Sequence, residues 1–309
     1  MTFFQTIDEQ FPVRRTRAQK DAFLSWAVKQ AGQMGYTART ETVGKKSVSR
    51  NLIIGSPAEA EVVYTAHYDT PTNKLFPSLV FPKNIPLFLL YTLGVTVVLL
   101  AIAFGAAALV SLLPVKRLVV IAMFLCVYVG LLLLMSYGPA NQHNRNDNTA
   151  GVAALLTLMA QLPESARTRV AFILFDNKEQ GCGGSKDYAK QHVQAAYTQL
   201  TVNFDGIGVG ETFFTIASPL AQKTDFYPRL KEGFRDGDGF RVQHLGSTGR
   251  MLRGDDHTFK LGIGVMACKR KKGIGYYIPS LHTRHDTEAR EENIAFLAKS
   301  MAALWQEEA

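Results

Sequence analysis

Cysteine is scarce in this 309-residue sequence: Cys126, Cys182 and Cys268 are the three present, and they show no paired spacing. That excludes a disulfide framework and a cysteine-built zinc site, and it agrees with a reducing compartment. Charge is missing altogether from two long stretches, residues 84–115 and 118–144. Their apolar cores, at about 85–113 and 118–137, each reach the ~20 residues a helix needs to cross a bilayer. Soluble core helices seldom run so far without a charge. The sequence therefore predicts a transmembrane helical hairpin, turned at Pro114-Val115-Lys116-Arg117.

The first thirty residues lack an apolar signal region; Phe3-Phe4 is soon followed by Asp8, Glu9 and the basic residues Arg14, Arg15 and Arg17. With two crossings and no legible signal, the expectation is an integral membrane protein whose soluble parts share the cytoplasmic face. Lys74, Lys83 and Arg145 flank the base of the hairpin and Lys116 and Arg117 sit at its tip, a weak arbiter of orientation. A recognised nucleic-acid motif is also lacking, despite the net charge of +8. The densest basic cluster, Lys269-Arg270-Lys271-Lys272, suits anionic lipid head groups or a solvated loop, so the bilayer is an expected partner and nucleic acid is not. Internal repeats and low-complexity segments are absent.

What the soluble parts do contain is alternation. The opening segment reads as helical to about Gly35, with Phe23, Leu24, Trp26 and Ala27 among polar residues. Short β-like runs follow at 37–43, 51–54 and 61–66. After the hairpin, Asn146-Asp147-Asn148-Thr149-Ala150-Gly151 opens a helix through about Gln161. The run 169–175 reads as a buried strand, with a loop and another helix after it. Strands near 202–204, 213–216 and 264–267 and helices near 225–234 and 291–305 complete a three-layer α/β pattern.

Polar residues stand at the strand ends of this pattern, where such sheets place their ligands: His67, Asp69, Asp147, Glu179, Asp205 and His282. Two histidines and four carboxylates suit a borderline divalent metal such as zinc. Five ordered segments carry a resemblance: Ala66-His67-Tyr68-Asp69-Thr70, Asn146-Asp147-Asn148-Thr149-Ala150-Gly151-Val152-Ala153, Lys178-Glu179-Gln180-Gly181, Asn203-Phe204-Asp205 and Leu281-His282-Thr283-Arg284-His285-Asp286-Thr287. Gly254-Asp255-Asp256-His257 is a weaker sixth. In these segments the sequence resembles the co-catalytic zinc aminopeptidase family, which includes glutamate carboxypeptidase and the glutaminyl cyclases.

The resemblance implies a zinc-exopeptidase-type fold, a central mixed sheet flanked by helices, here discontinuous over residues 1–84 and 138–309 and interrupted by the hairpin at 85–137. It implies two zinc ions. His67 and Asp205 would hold one, Glu179 and His282 the other, and Asp147 would bridge them with its two carboxylate oxygens. Asp69 would hydrogen-bond the far ring nitrogen of His67, and Asp256 and His257 are candidate supports. The His-Thr-x-x-Asp-Thr spacing points to His282 rather than His285 as the ligand.

The family's general base is the first acid of a Glu-Glu pair, and here that position is Lys178. A lysine there acts as a base only if its pKa falls by several units. The expectation is that it points elsewhere and that its role is lost or passes to Asp176 or His285. The implied function is a membrane-anchored zinc exopeptidase of aminopeptidase type acting on peptides, some of them membrane-derived. The alternative is a metal-binding pseudopeptidase that presents a peptide-binding or scaffold surface. A one-metal glutaminyl cyclase is a third reading, which the intact five-ligand set disfavours.

Overall fold

Proline and two small polar residues set the first departure from the expected pattern. Where one helix is predicted, the computed structural model has two, α1 (Phe3–Gln10) and α2 (Arg17–Gln33). Pro12 lies in the break, where its ring and missing N–H oppose a continuous helix. Each helix starts in a capping box, Thr2 with Gln5 and Thr16 with Gln19. The structure describes residues 1–44, 48–247 and 254–306.

Strands β1 (Ala38–Val43), β2 (Ser49–Ile54) and β3 (Val62–His67) follow. The two uncharged runs form α3 (Ile85–Ser111) and α4 (Arg117–Tyr137), both long and apolar enough to cross a membrane. Beyond them come α5 (Ala150–Gln161), β4 (Val170–Phe175), α6 (Gly183–Gln191), α7 (Val193–Thr198), β5 (Leu200–Phe204), β6 (Thr212–Ala217), α8 (Phe226–Gly233), β7 (Arg241–Gly246), β8 (Leu261–Lys271), β9 (Gly275–Tyr277) and α9 (Glu291–Ala303).

Among the described residues the strands form one mixed sheet in the order β1-β2-β4-β3-β5-β8-β6-β7, with β9 paired to β8. Its centre, β4-β3-β5-β8, is parallel; β1, β2 and β6 enter antiparallel. β3 and β4 are buried along their whole length, as apolar strands covered on both faces must be. The period-2 alternation sends their side chains into two cores. Leu52, Ile54, Tyr64, Ala66, Phe172 and Leu174 join the helical layer of α1, α2, α5, α8 and α9. Ile53, Val63, Ala171 and Ile173 face Tyr188 of α6 and Phe259 on the other side. The result is the three-layer α/β architecture.

The helix expected from Asn146 begins later. Residues 145–149 make a tight turn in which Asp147 (φ −118°, ψ 86°) and Asn148 are not helical, and α5 starts at Ala150. The hairpin leaves the domain through a short pairing of the segments before and after it. Thr72 bridges Ala140, the Asn73 N–H donates to Pro139 O, and the Asn141 N–H donates to Pro71 O. Arg15 adds a 2.6 Å hydrogen bond to Gly138 O at the foot of α4.

Candidate metal centre

Parallel neighbours bring their C-terminal ends to one edge of the sheet. β3 ends on His67, β4 ends two residues before Asn177-Lys178-Glu179 is reached, and β5 ends one residue before Asp205. The turn that starts α5 lays Asp147 across these ends, and the loop after β9 brings in His282 with a left-handed backbone (φ 63°). Two donor groups result, His67–Asp147–Asp205 and Asp147–Glu179–His282, each with its ligand atoms within 4.8 Å of one another. His67 Nε2 lies 3.1 Å from Asp147 Oδ1 and 3.7 Å from Asp205 Oδ1. His282 Nε2 lies 2.6 Å from Asp147 Oδ2 and 3.3 Å from Glu179 Oε2. The two histidines thus address different oxygens of the shared Asp147.

Much of the surrounding structure exists to hold these side chains. Asn148 Nδ2 donates to Phe204 O at 2.8 Å while its Oδ1 accepts from the Gly206 N–H, tying the turn to the end of β5. A Cβ on Gly151 would collide with that Asn148 amide, so glycine is required there. Asp286 accepts from the N–H groups of Asn146 and Asp147, both at 3.0 Å. Asp69 accepts from the N–H groups of Lys178 and Glu179, again at 3.0 Å each. Its Oδ1 is 3.4 Å from His67 Nδ1, and its backbone carbonyl is nearer, at 3.2 Å. Asp69 therefore orients the loop of Lys178 and Glu179 as well as facing the far nitrogen of His67. On the other histidine, Lys74 Nζ and Ser78 Oγ lie 2.7 and 3.0 Å from Nδ1.

Lys178 departs from expectation: it points into the centre. Its Nζ lies 3.0 Å from Glu179 Oε1, 3.3 Å from Asp147 Oδ1 and 3.4 Å from Asp205 Oδ2. Burial alone pushes its pKa down, but the three carboxylates outweigh burial and hold it well above the ordinary lysine value. Burial likewise pushes Asp147, Glu179 and Asp205 up, and the Lys178 and histidine cations reverse this and hold all three low. In His282, burial is overcome by Glu179 and Asp147, which push it up to about 9. The donors suit a divalent cation. They are two imidazoles and three carboxylates, His67 and Asp147 buried and Asp205, Glu179 and His282 half-buried, the nitrogen and oxygen donor set that a divalent ion such as zinc takes.

The expected substitutes for the base stand elsewhere. Asp176 pairs with Lys20 at 2.5 Å and accepts from the Arg50 N–H at 3.0 Å. His285 lies beside Arg284, outside both donor groups. Of the weaker motif, Asp256 is buried and His257 exposed, while it is Asp255 Oδ1 that accepts a 2.5 Å hydrogen bond from Ser185. Asp286, Lys74, Ser78 and Asn148 do not stand out in the sequence as site residues. Asp286 and Asn148 lie within motifs that carry the resemblance, whereas Lys74 and Ser78 reach His282 from more than 200 residues away and leave no local pattern.

No curated protein sequence matches the chain. Among solved structures it is similar to Porphyromonas gingivalis glutaminyl cyclase, with TM-score 0.63 and 16% identity over 98% of this chain and 94% of that one. It is similar to the LapA aminopeptidase of Legionella pneumophila, with TM-score 0.56 and 14% identity over 98% and 69%. Fimbriiglobus ruber glutaminyl cyclase gives 0.55 and 13% over 99% and 93%. At these identities the likeness establishes the fold. Residues 137–304 match the model of peptidase family M28. That match begins at the last residue of α4, takes in the segments of Asp147, Glu179, Asp205 and His282, and spans more than half of the chain, which belongs to peptidase family M28.

Proposed function

We propose that the chain is a membrane-anchored, zinc-dependent exopeptidase of aminopeptidase type, with its soluble part on the cytoplasmic face. The observation that carries the reading is the pair of three-donor groups sharing Asp147 at the ends of β3, β4 and β5. Each group offers ligands for one zinc ion, which is the basis for expecting two. A bound zinc ion would lower the pKa of its water and polarise the scissile carbonyl. An ammonium held by three carboxylates keeps its proton and has no lone pair to take another. Lys178 is therefore unsuited to the base's role, and the water is left without a dedicated base. Loss of a general base costs on the order of 10²–10⁴ in rate, so the reading is of a slow hydrolase.

Membrane-derived peptides are the proposed substrates. A cavity of about 410 Å³ lined by Lys178, Glu179, Asp205 and His282 shares Lys74, Ser78 and Val80 with a second of about 510 Å³. The second is lined by Phe88, Tyr91, Val95 and Leu99 of α3 and by Leu132 and Met135 of α4. The apolar side chains of a peptide arriving from the bilayer have a place to lie next to the centre. Three basic residues at the base of the hairpin, Lys74, Lys83 and Arg145, against Lys116 and Arg117 at its tip lean towards a cytoplasmic base.

The position of the Lys178 ammonium favours one second reading, a metal-binding pseudopeptidase that binds peptides without cutting them. The deciding experiment is hydrolysis of a peptide panel by purified, zinc-loaded protein beside Lys178→Glu and Glu179→Ala. The enzyme reading expects slow cleavage by the native chain, 10²–10⁴-fold faster cleavage by Lys178→Glu, and none by Glu179→Ala. Cleavage by Lys178→Glu alone establishes the pseudopeptidase.

A further inference from the structure

The Lys178 ammonium does not sit symmetrically between the two donor groups. The asymmetry lies at the shared Asp147, where the ammonium takes Oδ1, the oxygen that faces His67, and leaves Oδ2 to His282; from Asp205 it takes Oδ2 at 3.4 Å, leaving Oδ1 towards His67. From Glu179 it takes Oε1. The His282 group uses the other oxygens, Asp147 Oδ2 and Glu179 Oε2. The cation therefore already occupies the Asp147 oxygen of the His67 group, and the Asp147 oxygen of the His282 group is left for another.

Charge points the same way. With both histidines neutral, as metal ligation requires, Asp147, Glu179 and Asp205 with Lys178 carry two net negative charges in a largely buried cluster, which a single divalent ion cancels. A second ion would leave two positive charges there, beside an ammonium within a few ångströms, and like charges so placed in a poorly solvated interior repel strongly.

We propose that Lys178 takes the place of one metal ion, so that the chain holds a single divalent ion, in the Asp147–Glu179–His282 group. This rests on the metallopeptidase reading above and alters the composition of its centre. Lys178 is then an internal cation: it neutralises Asp205 and one edge of Asp147 and keeps both carboxylates in place around the bound ion.

The test is the number of zinc ions bound per chain, by equilibrium dialysis and by native mass spectrometry of the full chain in detergent. The native protein is expected to bind one ion and Lys178→Met two. His282→Ala should abolish binding in the native background, whereas His67→Ala should leave it at one. In the Lys178→Met background, His67→Ala should return two ions to one. Near-ultraviolet circular dichroism of each metal-free variant verifies that it is folded. Two ions in the native chain overturn the proposal, as does a single ion that is lost with His67→Ala and kept with His282→Ala. No ion in the native chain but ions in Lys178→Met overturns it too, since the ammonium would then close both groups. No ion in either protein sinks the metallopeptidase reading itself.

Discussion

Asp286 illustrates how much of the centre consists of held backbone. Its two oxygens fix the N–H groups of Asn146 and Asp147 and so aim the carboxylate shared by both donor groups. Burial first, and then the neighbouring Asp147 charge, push Asp286 up to about 7. A carboxyl raised in the folded state binds its proton more tightly there than in the unfolded chain. Its contribution to stability is therefore complete below the unfolded value of about 3.9 and is lost as pH rises through about 7. In chelator-treated protein, the stability of the native chain relative to Asp286→Asn should fall across that window and level off above it. A pH-independent difference in unfolding midpoint would refute the assignment. His282 and the acids at the strand ends were legible because each sits in a short motif. The direction of Lys178 was not. A lone lysine beside a metal site reads as repelled by the ions, whereas the nearby carboxylates of Asp147, Glu179 and Asp205 draw it in.

Among elements, the hairpin was the most legible, because helices outside a membrane seldom stay uncharged over a bilayer's thickness, and here two do so in succession. The helical break at Pro12 needed only the proline rule, yet the apolar spacing around it suggested continuity. β7 and β9 left little trace: β7 is half-exposed and carries Arg241, Gln243 and His244, and β9 is three residues long. Both are strands by virtue of their neighbours β6 and β8. The hairpin also carries a test of orientation. With the soluble domain cytoplasmic, a cysteine at the tip, Val115→Cys in a Cys126→Ala background, should react with a membrane-impermeant maleimide added to intact cells. Reaction only after the cells are opened would reverse the orientation.

For the whole molecule, one sheet with helices on both faces turns three parallel strand ends and one helix-opening turn into a single polar pocket. The C-terminal helix closes that architecture. Trp305, just beyond α9, is buried, and its Nε1–H donates to the hydroxyl of Tyr64 on β3 at 3.1 Å. Trp305→Ala should cost about 4 kcal/mol, read as a lowered unfolding midpoint; a loss under about 1 kcal/mol would mean that the helical layer closes without it. The hairpin enters this architecture between β3 and the Asp147 turn, and its base pairs through residues 71–73 and 139–141. The loop that follows carries Lys74 and Ser78 to His282, so the apolar hairpin and the candidate metal centre are neighbours. The central claim, a metal-dependent peptidase at the membrane, is tested most directly by peptide hydrolysis with the native chain in lipid nanodiscs. The assay is run as prepared, after chelation and after zinc is restored. The account predicts slow release of N-terminal residues that stops on chelation and returns with zinc. Zinc bound at the centre with no release from any peptide, soluble or lipid-embedded, would contradict it.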